Sequence, residues 1–181
     1  MLVTISEILG LIITSLVIGF IFMDRGHYKY LFSRKFNFRA LIYTSIIVSP
    51  GIILHELMHK FVAIFFGLTA TFKVFGLGII VAIILKLVNS PFILIAPGYV
   101  ELGSTTSNLE MFFISFSGPF INLILWLLAR FMLQKPKLTK NQLKFWHITK
   151  QINLILFIFN MLPIPPLDGF KVWSSLFKLI F

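Results

Sequence analysis

Apolar runs of roughly membrane-spanning length recur along the chain, separated by short polar segments. A helix needs about 20 mostly apolar residues to cross the hydrocarbon core of a bilayer. The pattern predicts an all-α polytopic membrane protein with about four to five transmembrane helices, followed by a short amphipathic tail at 170–181 that lies in the interface. The candidate membrane segments are 2–23, 40–68, 75–102, 108–133 and 146–162.

Proline lies inside three of these runs, and in the run 108–133 it is Pro119, which follows Gly118. Pro50, which glycine follows, lies in the middle of the run 40–68 and should kink that helix. In the run 75–102, Pro91 and Pro97 break the apolar sequence twice. This run is predicted to form either one broken transmembrane helix or a hairpin that enters and leaves the membrane on the same side. Non-helical backbone at that depth must be buried against protein or water.

The composition agrees with a membrane location. Hydrophobic residues make up 58% of the 181 residues and charged residues only 12%, whereas soluble domains average about 45–50% and about 25%. A domain of this size cannot bury so much apolar surface inside itself, so the surplus must face lipid. We therefore predict a single integral membrane domain over residues 1–181. The absence of cysteine and the many Lys, Ile and Phe residues favour a multi-pass protein of a prokaryotic cell membrane.

The formal net charge of +10 comes mainly from two groups of Lys and Arg that lie between apolar runs, at 25–39 and 135–150. Basic loops beside membrane segments contact anionic lipid headgroups. The expected partner of these groups is therefore the lipid bilayer, and no nucleic-acid partner is expected.

His55-Glu56-Leu57-Met58-His59 is an HExxH sequence inside the predicted second helix. The i, i+4 spacing puts both imidazoles on one helix face, where they can share one metal ion, and Glu56 can reach a water on that metal. Ionisable residues inside a membrane helix are functional by default. The alternative interpretation is structural, with two buried histidines and a glutamate satisfied by neighbouring groups.

A catalytic zinc site has three protein ligands and one open position, so a third ligand is needed. The chain has no cysteine, which directs attention to the carboxylates. Glu7 and Asp24 flank the first helix, and Glu110 lies at a predicted helix start, where an acid is ordinarily favourable. This leaves Glu101 and Asp168. Asp168 follows a proline-rich turn, and its alternative role is an N-cap for the tail helix.

Three motifs occur in a fixed order, each within an apolar segment: His55 to His59, Ser117-Gly118-Pro119-Phe120-Ile121-Asn122, and the stretch from Asn160 to Gly169 that contains Leu167-Asp168-Gly169. Together they resemble the site-2 protease family of intramembrane zinc metalloproteases, over a core of about residues 40–169. The resemblance implies Zn2+ as cofactor and Asp168 as its third ligand, with Glu56 as the catalytic base.

The same resemblance implies a substrate-binding region. Relatives carry a membrane-dipping β element between their first two core helices, and the stretch at about 89–103 occupies that place. An edge strand there would bind an unwound substrate segment by strand addition. Two asparagines would lie near the metal and hold substrate or orient a ligand. The predicted substrate-binding residues are therefore Tyr99, Val100, Glu101 and Leu102 of the strand, with Asn122 and Asn160.

The expected function is hydrolysis of peptide bonds within transmembrane segments of other membrane proteins. Two other interpretations stay open. A zinc protease of another HExxH type would use Glu101 rather than Asp168 as its third ligand. A non-catalytic protein of the same fold would bind transmembrane helices or zinc without hydrolysis.

The predicted membrane orientation depends on which rule is applied. His59 and Asp168 must lie on one side of the membrane to share a metal, which puts both basic groups on the other side. The positive-inside rule places basic loops in the cytoplasm, whereas the family resemblance implies that the catalytic end faces the cytoplasm.

Overall fold

The computed structural model describes residues 3–23, 37–88, 90, 98–104 and 106–181. Most of this part of the chain is helical, and a two-stranded sheet accompanies the helices. The helices are α1 (Ile5–Phe22), α2 (Phe38–Phe65), α3 (Gly76–Leu87), α4 (Asn108–Met132), α5 (Lys140–Asn160) and α6 (Asp168–Ile180). The strands are β1 (Ala70–Val74) and β2 (Gly98–Leu102).

Three of the described helices, α1, α2 and α4, are long and apolar enough to cross a membrane. The 18 residues of α1 extend over about 27 Å, close to the hydrocarbon thickness of about 30 Å. In contrast, α3 has only 12 residues, and α5 carries lysine, glutamine and asparagine along its length. Further spans in 75–102 and 146–162 therefore stay predictions.

Polar side chains explain where three of the helices begin. Thr4, Ser107 and Thr139 immediately precede α1, α4 and α5, and each accepts a hydrogen bond from the backbone N–H three residues later. The Glu or Gln at that third position in turn accepts a hydrogen bond from the backbone N–H of the cap residue. These reciprocal capping boxes satisfy N–H groups that have no partner within the helix.

The four longest helices alternate in direction. Glu7 near the start of α1 contacts Lys60 near the end of α2, and His59 contacts Ile114 in the first part of α4. Asn160, the last residue of α5, lines the same cavity as His59. The starts of α1 and α4 and the ends of α2 and α5 thus lie together, at what we name the site end. We name the opposite end the basic end; of the described basic residues, Arg39 in the first turn of α2 and Lys140 in the first turn of α5 lie there.

The sheet lies at the site end. Strands β1 and β2 pair antiparallel, with Ala70 opposite Leu102 and Val74 opposite Gly98. The segment from 75 to 97 therefore leaves the sheet and returns to it, which agrees with the hairpin alternative rather than with one broken helix that ends on the far side. The predicted β element at about 89–103 contains β2, while residues 89 and 91–97 lie outside the described residues.

Two apolar clusters hold these elements together. The larger one joins α1, α2, α3 and α5, and a smaller one packs the end of α2 against β1 and α4. Many large apolar side chains on the outer faces of the spanning helices, such as Ile8, Ile12 and Phe131, stay exposed, as expected where lipid is the solvent. The residues of the larger cluster are Ile18, Ile21, Phe22, Val48, Ile52, Ala82, Ile152 and Leu156; those of the smaller one are Ala63, Ala70 and Ile114.

Candidate metal centre

Two histidines and an aspartate converge at the site end. His55 and His59 lie one turn apart on α2, and their Nε2 atoms are 3.1 Å from each other. Oδ2 of Asp168, the first residue of α6, lies 3.0 Å from Nε2 of His55 and 3.1 Å from Nε2 of His59. Within the described residues, this is the group of His, Asp and Glu side chains whose atoms could hold one metal ion.

The outer nitrogen of each imidazole faces an oxygen that accepts a hydrogen bond. Nδ1 of His55 is 2.6 Å from Oδ1 of Asn122, and Nδ1 of His59 is 2.6 Å from the backbone oxygen of Ile114. We therefore assign the protons to both Nδ1 atoms, which leaves the Nε2 lone pairs pointing toward Asp168. This is the usual outer arrangement of metal-binding histidines.

The donor set fits a zinc ion. A tetrahedral ion with bonds of about 2.0–2.1 Å keeps its ligand atoms about 3.3–3.4 Å apart, and the three atoms here need to separate by only a few tenths of an ångström from 3.0–3.1 Å. Three electron-rich atoms at this spacing repel one another unless a cation lies among them. Two imidazoles and a carboxylate are also a ligand set that catalytic zinc sites use.

Asp168 is the first residue of α6 and does not cap it. The cap position is Leu167, without a side-chain hydrogen bond. A divalent cation among the three atoms would favour the ionised form of the Asp168 carboxylate. The Asp168 carboxylate therefore contacts the two histidines and does not cap the first turn of α6.

A chain of hydrogen bonds between buried amide groups begins at Nδ1 of His55. The side chain of Asn122 donates hydrogen bonds to the backbone oxygen of Gly51 and to Oδ1 of Asn153. Asn153 of α5 in turn donates to the backbone oxygen of Thr149. Asn122 is therefore placed to orient a ligand, and its role in holding substrate stays a prediction. Sequence reasoning missed Asn153, because a single asparagine on a helix carries no spacing signal.

Gly118 of α4 lies directly against the two imidazoles. A Cβ atom at this position would fall 2.8 Å from Nε2 of His55 and closer still to Nε2 of His59. The backbone of α4 can therefore approach the metal ligands only because this residue has no side chain. This contact gives a physical reason for glycine in the Ser117 to Asn122 motif.

Glu56 lines a cavity of about 50 Å3 together with His55, His59 and Asp168. This volume holds a few water molecules, since one water occupies roughly 10–15 Å3 on the same measure. The Glu56 side chain is only 7% exposed, so it faces the cavity and is shielded from bulk solvent. Asn160, another predicted site residue, also lines the cavity.

Of the predicted strand residues, Tyr99 lines the cavity, while Val100 and Leu102 pack against the smaller apolar cluster. Glu101 is exposed and lies 3.7 Å from the ammonium of Lys73 across the sheet. The structure therefore brings Asp168, and not Glu101, to the histidines.

A buried ion pair connects the sheet to α2, the helix that carries His55 and His59. The Glu7 carboxylate binds the ammonium of Lys60, which follows His59, and it accepts a hydrogen bond of 2.8 Å from the backbone N–H of Phe72 in β1. Both charged side chains are almost fully buried. Sequence reasoning placed Glu7 at the flank of a helix; its actual partner is 53 residues away.

Comparison with known proteins shows the family: the chain belongs to the site-2 protease family. Residues 131–181 match Peptidase family M50. A protein of Methanocaldococcus jannaschii named "putative zinc metalloprotease" is 37% identical over 172 residues, which cover 92% of this chain and 82% of that protein. A protein of Bacillus subtilis with the same kind of name is 36% identical over 72 residues, 35% of this chain and 33% of its own length. No solved structure matches the chain.

The family resemblance predicted from three motifs is thus confirmed. Together with the three apolar helices, family membership makes the chain an integral membrane protein of a zinc metalloprotease family.

Proposed function

We propose that this protein is an intramembrane zinc metalloprotease, which hydrolyses peptide bonds within transmembrane segments of other membrane proteins. One observation carries the proposal. His55, His59 and Asp168 converge beside Glu56, in a cavity enclosed by helices of which two are apolar enough to cross a membrane. The names of the relatives support zinc as the metal.

In this proposal, His55, His59 and Asp168 hold zinc. When bound, zinc acts as a Lewis acid that lowers the pKa of a coordinated water toward about 7 and polarises a substrate carbonyl. Glu56 accepts the proton of the attacking water and delivers it to the leaving amine. Because Glu56 is buried in the small cavity, this proton stays within the site during the transfer.

The substrate must unwind before hydrolysis, because the amides of a transmembrane helix are already hydrogen-bonded. Strand β2 has one neighbour, β1, in the sheet that the structure describes, and its Tyr99 reaches the cavity. An unwound substrate segment that pairs with β2 recovers the backbone hydrogen bonds it has lost. Glycine and proline in the substrate helix make the unwinding less costly.

Glu56→Gln tests the proposal, because glutamine keeps the size of the side chain and cannot act as the base. Full-length protein in proteoliposomes is supplied with a reporter that carries one transmembrane helix with Gly and Pro at its centre. We expect the variant to bind as much zinc as the wild type and to lose cleavage of the reporter. Cleavage retained by the variant would refute the role of Glu56. A zinc-loaded wild type that cleaves no such reporter would favour a non-catalytic, helix-binding protein.

A further inference from the structure

Lys171 lies at the metal centre, and none of the roles above uses it. Its side chain lines the cavity of about 50 Å3 that contains Glu56 and both histidines of the HExxH motif. It follows Asp168 by three residues on α6, so the two side chains project from the same face of the helix. Lys171 also lines a neighbouring groove of about 460 Å3, and Tyr99 borders both spaces.

Among the described residues, no carboxylate forms an ion pair with Lys171. In the described part of the chain, no Asp or Glu oxygen lies within 4.0 Å of its ammonium. Its side chain nevertheless lines the same cavity as Glu56 and His59. Because the side chain is exposed, it can turn toward a group that enters from the groove.

The groove itself is mostly apolar. Its lining includes Phe75, Tyr99, Pro165, Pro166 and Phe170. An ammonium between an apolar groove and a small polar cavity attracts the most negative atom that reaches this junction. For a peptide lying in the groove with its backbone at the metal, that atom is the carbonyl oxygen of the bond under attack.

We infer that Lys171 is a further catalytic residue, whose ammonium donates a hydrogen bond to the scissile carbonyl oxygen as negative charge develops there. The inference rests on the proposed protease function and adds one residue to it. Asn122 is less suited to this task, because both of its N–H groups already donate to Gly51 and Asn153. Of the described residues that line the cavity, Lys171 is the one lysine, and no arginine is among them.

The test compares Lys171→Met, which keeps the length of the side chain without the charge, with Lys171→Arg, which keeps the charge. Lys178→Met is the matched control, because Lys178 lies on the same helix and does not line the cavity. Cleavage of the transmembrane reporter is measured in a single turnover with zinc-loaded, full-length protein in excess. Zinc content is measured on the same samples.

We expect Lys171→Met to lower the single-turnover rate by about 10²–10³-fold, the usual effect of removing one donor to a developing oxyanion. Lys171→Arg should keep much of the rate, Lys178→Met should match the wild type, and zinc content should not change. A Lys171→Met rate equal to that of the wild type would overturn the inference, and so would a loss of zinc that accounts for the loss of rate. A wild type that fails to cleave refutes the protease function instead, so the two failures are distinguishable.

Discussion

At the residue scale, the metal centre depends on the groups that hold the imidazoles as much as on the ligands themselves. Asn122 and the backbone oxygen of Ile114 fix which nitrogen of each histidine carries the proton. Gly118 leaves the space into which both rings project. Such outer contacts commonly change metal affinity by about 10–100-fold when they are removed.

Gly118→Ala should therefore lower the affinity for zinc, by about 10–100-fold. The added methyl group would overlap the Nε2 side of His59 and lie 2.8 Å from Nε2 of His55, which forces the ligand atoms apart. The measurement is a competition titration with a zinc chelator of known affinity. Gly76→Ala is the matched control, because a Cβ at Gly76 meets no atom within 4 Å; equal zinc affinity in the two variants would contradict the packing argument.

The site could be predicted from sequence only where its residues are close along the chain. His55 and His59 are four residues apart on one helix, so their shared face follows from helix geometry. Asp168 is 109 residues from His59, so helix geometry does not connect the two. The residues alone left both Asp168 and Glu101 as candidate third ligands, and the family resemblance favoured Asp168. Asn153 had no such support, since its partner Asn122 lies on another helix.

At the element scale, the buried pair of Glu7 and Lys60 joins three elements that are distant in sequence. It connects the first turn of α1 to the metal-binding turn of α2, and through Phe72 to β1. A buried charge that loses its partner costs about 3–5 kcal/mol. The pair should therefore fix the position of the sheet relative to the zinc ligands.

Glu7→Gln and Lys60→Met should each reduce the free energy of unfolding by about 3–5 kcal/mol, because each leaves a buried charge unpaired. The double variant should lose less than the sum of the two single losses, since it leaves no unpaired charge. Unfolding of zinc-free protein by SDS in mixed micelles measures these differences. Glu101→Gln is the control, because its pair with Lys73 is exposed and should contribute only about 0–1 kcal/mol. Strictly additive losses in the double variant would show that the pair is not coupled.

The long helices could be predicted from sequence and the small sheet only in part. The apolar runs 2–23 and 108–133 correspond to α1 (Ile5–Phe22) and α4 (Asn108–Met132). Such runs can be recognised because every residue of a membrane span contributes to its mean hydropathy. The strand at 98–102 was expected through the family resemblance. Its partner β1 was not, because a strand of five residues is specified by pairing with a distant segment rather than by local pattern.

At the scale of the whole molecule, the alternating helices separate two kinds of surface. The metal centre, the sheet and the starts of α1 and α4 lie at the site end, whereas Gln134 and Lys137 follow α4 at the basic end. This separation agrees with the relative arrangement predicted from sequence. The absolute orientation is the point on which the positive-inside rule and the family resemblance differ.

Cysteine labelling tests this arrangement directly, because the chain has no cysteine of its own. Ser33→Cys and Gln134→Cys should react with a membrane-impermeant maleimide from one side, and Ser104→Cys from the other. Intact cells and inverted vesicles measure the two sides separately. Protection of Ser104→Cys in intact cells would place the site end in the cytoplasm, as the family resemblance implies. Labelling of all three positions from one side would contradict the bundle described here.

The central claim is that His55, His59 and Asp168 form one zinc site, and the most direct test is zinc content per chain in detergent-purified protein. The wild type and Glu101→Ala should each carry about one zinc ion, as expected for a catalytic site, and Asp168→Ala should carry much less. Zinc that survives in Asp168→Ala and is lost in Glu101→Ala would contradict the assigned ligand. A folded wild type that takes up no zinc even after zinc is resupplied would contradict the metal centre altogether.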